Sequence, residues 1–327
     1  MSFDNLDVAR LATYLALAIT ALVPALASAA AAAQKRRLIC GGRPTVDEYV
    51  SRPMLAIAKT CATLSLRIYG RLEDLEKQMI AGIPGLRYCH VLHSKGIDAV
   101  CCACVSDNEL YIVWRGTNIS NRSQVRINSR IGLTPLAAGS TIVGRIIVGK
   151  CHAGLVSSHD AIWPQLNRIC RAAISDGKSI RVCGHSQGGA LASVTCAMLA
   201  ARDIPPSVSL VTFGAMRAGD DSFRKSVEVV ANYTPKTGGG IQRYRNNNDI
   251  VPLVPPRSAG YLHAGQELYI WPNGGVSANP SILLKMLQRI KGATSRLLDG
   301  VRDHSMNDYA RKIHALEIGT STEARGQ

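Results

Sequence analysis

The spacing of apolar residues changes several times along the chain, and each change predicts an element. Residues 45–80 read mostly as helix. Past Asp98 the spacing tightens into two apolar runs, 99–105 and 110–114, across the polar turn Ser106-Asp107-Asn108, which predicts a strand hairpin. Residues 152–174 return to helical spacing at Leu155, Ile162, Leu166, Ile169 and Ala173, and Asp176-Gly177 closes that helix. A short strand at 180–183 and an Ala- and Leu-rich helix at 189–201, stopped by Pro205-Pro206, follow. Strands are predicted at 208–213, 241–244 and 261–271, and helices at 222–230, 282–298 and 306–316. Strands alternating with helices of this length predict an α/β fold, a mostly parallel central sheet covered by helices on both faces.

The first segment stands apart. Residues 11–33 carry no charge, and Leu11, Leu15, Ile19, Leu22 and Leu26 recur at helical spacing over a length that spans a bilayer. Lys35, Arg36 and Arg37 follow the apolar run, whereas Asp4 and Asp7 outnumber Arg10 before it. That asymmetry favours a single-pass membrane anchor with a cytosol-facing body. The alternative is a secretory signal cleaved near Ala27-Ser28-Ala29, leaving a secreted protein, and a buried helix is the third reading. Residues 1–37 are therefore an anchor or signal segment with a basic flank, and residues 38–327 the main domain.

Charge narrows the partners. Lys and Arg total 38 against 23 acids, a net charge of +15, which favours acidic partners such as nucleic acid or anionic lipid heads. Aromatic residues make up only 5% and no basic run is interleaved with them, so no nucleic acid is expected. Cys101, Cys102, Cys104 and Cys183 fall inside predicted strands, where thiols act as small buried hydrophobes in a reducing compartment. Cys101 and Cys104 form one C-x-x-C without a second pair, so no metal site is expected.

The chemistry concentrates in Gly184-His185-Ser186-Gln187-Gly188, a G-x-S-x-G between a strand and a helix. Such a turn holds Ser186 above the sheet edge, and neighbours two residues away approach too closely for a Cβ, which accounts for Gly184 and Gly188. A serine hydroxyl needs a base, normally His, oriented by a carboxylate. Downstream stand His263, His304 and His314, with Asp203, Asp220, Asp221, Asp249, Asp299, Asp303 and Asp308. Asp249 lies in a loop after a strand, where open α/β sheets place their sites. His304 precedes a helix that Ser305 can cap, with Asp308 in its first turn. Order alone does not choose among these candidates.

At this point the chain resembles the class 3 lipase family, which includes the fungal triacylglycerol lipases. Residues 112–117 (Ile-Val-Trp-Arg-Gly-Thr) look like the family's oxyanion turn, and His152-Ala153-Gly154-Leu155 like its helix entry. Residues 184–190 are similar to its nucleophile turn. Phe213-Gly214-Ala215-Met216-Arg217 is similar to its F-G-x-P-R segment, with Met216 in place of Pro. Residues 248–256 are close to its acid loop. The resemblance covers about residues 45–315 and implies an α/β-hydrolase domain. It implies Ser186 as nucleophile, Asp249 as orienting acid and His304 as base, with His263 a weaker candidate for the base. The oxyanion donors it implies are the N–H groups of Thr117 and Gln187, the latter replacing the usual Leu.

A lipid ester such as an acylglycerol or phospholipid is the substrate implied, with a membrane surface as partner, for which the basic charge would suit an anionic one; no cofactor is called for and no oligomeric state follows. Where fungal members carry a Trp-containing lid, residues 118–133 hold Arg122, Arg126 and Arg130 and no aromatic residue. The alternative from another class is a catalytically silent lipid-binding or signalling module on the same fold.

Overall fold

The computed structural model describes residues 50–117, 132–141, 144–200, 207–231, 240–291, 300 and 302–317. The chain divides into two units, residues 44–281 with 293–327, and residues 1–43 with 282–292.

The larger unit is built on a sheet of β1 (Leu86–Ser94), β2 (Ala99–Ser106), β3 (Glu109–Trp114), β6 (Ser179–His185), β7 (Val208–Phe213), β8 (Gly240–Asn246), β9 (Glu267–Ile270) and β10 (Val276–Ala278), in the order β1-β2-β3-β6-β7-β8-β9-β10. Pairings from β3 through β9 are parallel, and those at both margins are antiparallel. A separate antiparallel ribbon joins β4 (Leu133–Thr141) and β5 (Gly144–His152).

Alternation along the central strands explains the two layers of helix. On one face Ile112, Trp114, Val182 and Leu210 pack into a core with α3 (Ala153–Asp160), α4 (Trp163–Ser175), α5 (Gln187–Ala200) and α6 (Asp221–Val230). On the other face Val113, Cys183, Val211, Phe213 and Tyr244 meet α1 (Arg52–Arg67), α2 (Leu75–Ile80) and α8 (Met306–Ala315). Each large side chain buried in this way contributes about 1.5–3 kcal/mol. α5 is apolar around most of its circumference, as expected for a helix enclosed by neighbours. The buried Trp114 indole donates to Thr195 Oγ1 on it at 2.9 Å.

The hairpin expected after Asp98 is β2–β3. The helix expected over residues 152–174 is two, α3 and α4, separated at Ala161-Ile162, with Pro164 in the first turn of the second. A proline there lacks the N–H that an uninterrupted helix would need. The strand expected over 261–271 shrinks to β9, because Gly265 turns the chain with φ +70° before it. Edge strand β1 and the ribbon β4–β5 carry no clear alternation and are found only in the structure.

The smaller unit contributes one described helix, α7 (Ile282–Lys291); the remainder of the helix expected over 282–298 lies outside the described residues. Ile282, Leu283, Leu284 and Met286 on it are exposed.

The expectation of a transmembrane helix, and with it a membrane-anchored location, is corrected here. No helix among the described residues is long and apolar enough to cross a membrane. The 16 residues of α1 rise roughly 24 Å, short of the ~30 Å hydrocarbon core, and include Arg52, Lys59 and Arg67. Residues 11–33, on which the anchor rested, lie outside the described residues, as does the basic stretch 118–131.

Candidate active site

Strand β6 ends at His185 and α5 begins at Gln187, leaving Ser186 as the whole of the turn. Its φ is +60°, a left-handed conformation that costs a non-glycine residue of order 1–3 kcal/mol. The Ser186 N–H donates to Phe213 O at 3.0 Å, tying the turn to β7. The glycines follow from close approach. A Cβ on Gly184 would sit 2.4 Å from the Gly188 backbone, and one on Gly188 would sit 2.2 Å from Trp114 O. α5 thus starts directly against the ends of β6 and β3, with its N-terminal N–H groups at the serine.

Three side chains from separate loops meet here. Ser186 Oγ lies 2.9 Å from His304 Nε2. His304 Nδ1 lies 2.9 Å from Asp249 Oδ2 and 3.1 Å from Oδ1. Asp249 is fully buried, and its carboxylate also accepts from Tyr309 Oη at 2.7 Å and Val251 N–H at 2.9 Å. With Nδ1–H on the carboxylate, the lone pair of Nε2 faces the serine hydroxyl, as proton removal requires.

The surrounding chain fixes this geometry. Asp303 Oδ2 accepts from Asn248 N–H and Asn247 Nδ2, both at 3.0 Å, so the segment before His304 is pinned to the loop before Asp249. Asn246 Nδ2 adds bonds to Asp303 O and Asp308 Oδ2, both 2.8 Å. Ser305 occupies the N-cap position of α8, but its side chain makes no capping bond; Asp308 is engaged by Asn246 and Lys312 instead. Arg245 Nε donates to Asp249 O at 3.2 Å, and Arg217 Nη1 donates to the carbonyls of Leu253 and Pro255. His263 Nε2 donates to Pro252 O at 2.8 Å, which occupies it in the acid loop away from the serine. His314 is bonded to Thr63 Oγ1 at 2.9 Å.

Gly214 leaves the room these groups occupy. It has φ +58°, and a Cβ there would lie 2.5 Å from Asp249 Oδ2 and 3.0 Å from both His304 Nδ1 and Tyr309 Oη. Gly214→Ala is expected to lower stability by at least ~1–2 kcal/mol through the left-handed backbone alone, and to displace the His304–Asp249 pair. A thermal melt alongside ester turnover checks this, with both expected to fall.

Thr117 and Gln187 are brought together. Thr117 Oγ1 donates to Gln187 Oε1 at 2.7 Å, tying the end of β3 to the start of α5. The sequence assigned only the Gln187 backbone N–H a purpose; its side chain also positions the neighbouring turn. Gln187→Leu keeps that N–H and removes the tie. It is expected to reduce turnover by about tenfold without changing the melting temperature by more than a few degrees.

Burial holds His185, His159 and His263 neutral. The His185 pKa is pushed down to about 3 by burial and then by His304 beside it. Burial also lowers His159, and burial followed by Arg243 lowers His263. Groups with folded pKa values below the unfolded ~6.5 give stability that is complete above that pH and lost as pH falls beneath it. Denaturant midpoints should therefore drop between about pH 7 and pH 4. His185→Gln, which removes one of these groups, should show a shallower fall.

Residues 111–259 match the family described as Lipase (class 3). The chain has an α/β-hydrolase fold and is similar to the class 3 lipases over that segment. It is 31% identical over 166 residues to a lipase of Rhizopus niveus, covering 49% of this chain and 38% of that protein. It is 30% identical over 155 residues to "Secreted mono- and diacylglycerol lipase 1" of Fusarium solani, covering 46% of this chain and 42% of that one. Among solved structures, lipase II from Rhizopus niveus superposes with a TM-score of 0.54 at 26% identity, covering 69% of this chain and 84% of that one. The chain spans less than half the length of the first of these relatives in sequence.

Proposed function

We propose that this class 3 lipase-like chain hydrolyses carboxylic esters of lipids, with acylglycerols or phospholipids as substrates. The supporting observation is the 2.9 Å approach of Ser186 Oγ to His304 Nε2, with Nδ1 of the same ring on a fully buried carboxylate.

In this reading Ser186 Oγ attacks the ester carbonyl and His304 Nε2 takes its proton, while Asp249 holds the imidazole in one tautomer and faces the imidazolium. The carbonyl oxygen becomes an oxyanion that accepts from the N–H groups of Thr117 and Gln187. As the C–O bond to the alcohol breaks, His304 returns the proton to the departing oxygen. Water, deprotonated by His304, then attacks the acyl-serine, and Ser186 recovers its proton as the fatty acid leaves.

Lipid rather than small polar esters is favoured by the names of the similar proteins. Exposed Ile250, Leu253 and Val254 beside Asp249 add an apolar rim to the site. The Fusarium relative's name supports a secreted location in place of the anchored one. The second reading, a catalytically silent lipid-binding module on the same fold, is favoured by the matched share of each relative being under half.

Turnover across an ester series of increasing acyl length, with and without anionic vesicles, separates them. Hydrolysis that rises with acyl length and disappears in Ser186→Ala supports the enzyme. Vesicle binding without turnover of any ester supports the silent module.

A further inference from the structure

His185, the residue before the nucleophile, is 6% exposed and takes no part in the proton transfer described above. Its two ring nitrogens are both engaged. Nε2 lies 2.8 Å from the backbone carbonyl of His304, and Nδ1 lies 2.9 Å from Tyr69 Oη. A carbonyl only accepts, so Nε2 carries the proton. Nδ1 in the neutral ring is then an acceptor, and Tyr69 must donate to it. The Tyr69 hydroxyl also lies against Gly116, next to Thr117. The Tyr69 O–H and His185 Nε2–H protons are thereby assigned a direction, toward His185 Nδ1 and the His304 carbonyl.

The packing supports the same link. The His185 and His304 rings lie with centroids 4.5 Å apart and planes 31° apart, while Tyr69 and Tyr309 each meet His185 edge-on at 5.9 Å. Tyr69 is 39% exposed, but its hydroxyl end is enclosed: a Cβ on Gly116 would lie 2.3 Å from that oxygen.

We propose that Tyr69 and His185 are positioning residues, a neutral Tyr–His pair that fixes the base His304 by its backbone carbonyl and ring and supports the oxyanion turn by packing the Tyr69 hydroxyl against Gly116. This rests on the ester-hydrolase reading for its kinetic consequence and on hydrogen-bond direction alone for its structural one. One pair thus couples three loops that must keep register during the reaction. Placing the base wrongly by an ångström costs on the order of 100-fold in rate, so a network at this point acts on kcat rather than on substrate affinity.

The test uses the full chain and a soluble short-chain ester. Tyr69→Phe removes one oxygen from a partly exposed ring and is expected to lower kcat on the order of 10–100-fold with KM unchanged. His185→Leu is expected to do the same, and His185→Gln, whose Nε2–H can again reach the His304 carbonyl, to recover about tenfold of the loss. Because the two residues act in one chain, the double variant Tyr69→Phe/His185→Leu should lose much less than the product of the single losses. If His185→Leu fails to fold, the Tyr69→Phe result stands by itself.

Side-chain ¹⁵N spectra of His185 supply a readout independent of turnover. Protonation at Nε2 with a bare Nδ1 is expected, with the Nδ1 signal shifting in Tyr69→Phe. Full kcat in folded Tyr69→Phe, or protonation of His185 at Nδ1, overturns the proposal. If the unaltered protein turns over no ester, the parent reading fails and the tautomer measurement still decides the pairing.

Discussion

Ser186→Ala is expected to lower kcat by about 10⁶-fold, close to 8 kcal/mol of lost transition-state stabilisation, while leaving the fold intact. The size follows from what the hydroxyl does. In the proposed reaction it forms the covalent bond to the acyl group, and no neighbouring oxygen in the described site stands 2.9 Å from His304 Nε2 in its place. Folding should tolerate the change, because alanine keeps the Cβ and loses only the hydroxyl. His304→Ala should cost nearly as much, and the double variant little more than either single one, since a base without a nucleophile has no proton to take. Steady-state kinetics on a soluble ester measures all three. Independent, multiplying losses would mean that the serine and histidine do not act as one unit.

Asp249→Asn is expected to lower kcat about 10⁴-fold with little effect on KM. The carboxylate accepts from His304 Nδ1, Tyr309 Oη and Val251 N–H. An amide in its place offers one acceptor oxygen, and its NH₂ must face groups that donate. The cheapest rearrangement puts the proton of His304 on Nε2, directing an N–H instead of a lone pair at Ser186 Oγ. The fully buried position adds a stability cost of about 1–3 kcal/mol if the Tyr309 hydroxyl loses its acceptor. Kinetics at several pH values with a melt of the same sample distinguishes the two effects. A variant with normal turnover would detach Asp249 from the reaction.

How much of this the sequence carries depends on the range of the signal. Ser186, Gly184 and Gly188 are legible because a strand, a strained turn and a helix follow each other within ten residues. The central strands are legible for the same reason: β6 and β7 are short runs rich in Ile, Val, Leu and Phe, bounded by turns. Asp249 and His304 could be chosen only through the family resemblance, because their meeting depends on Asn246, Asn247, Asn248 and Asp303 pinning two loops that are about 55 residues apart in the chain. Tyr69 illustrates what local pattern misses. It lies 116 residues from His185 in an unremarkable turn after α1, and only the assembled fold puts its hydroxyl against the nucleophile elbow. The side chain of Gln187 was missed for a related reason, since its partner Thr117 is 70 residues away. The anchored location was misread because apolar length, read without a fold, does not separate a span from a signal.

The most direct test of the account is to treat the folded full chain with a fluorophosphonate probe, digest it and map the adduct by mass spectrometry. The account predicts a single phosphonylated residue, Ser186, formed rapidly in the unaltered protein, much more slowly in His304→Ala, and absent in Ser186→Ala. An adduct on another residue, or no adduct on a protein shown to be folded, would contradict it.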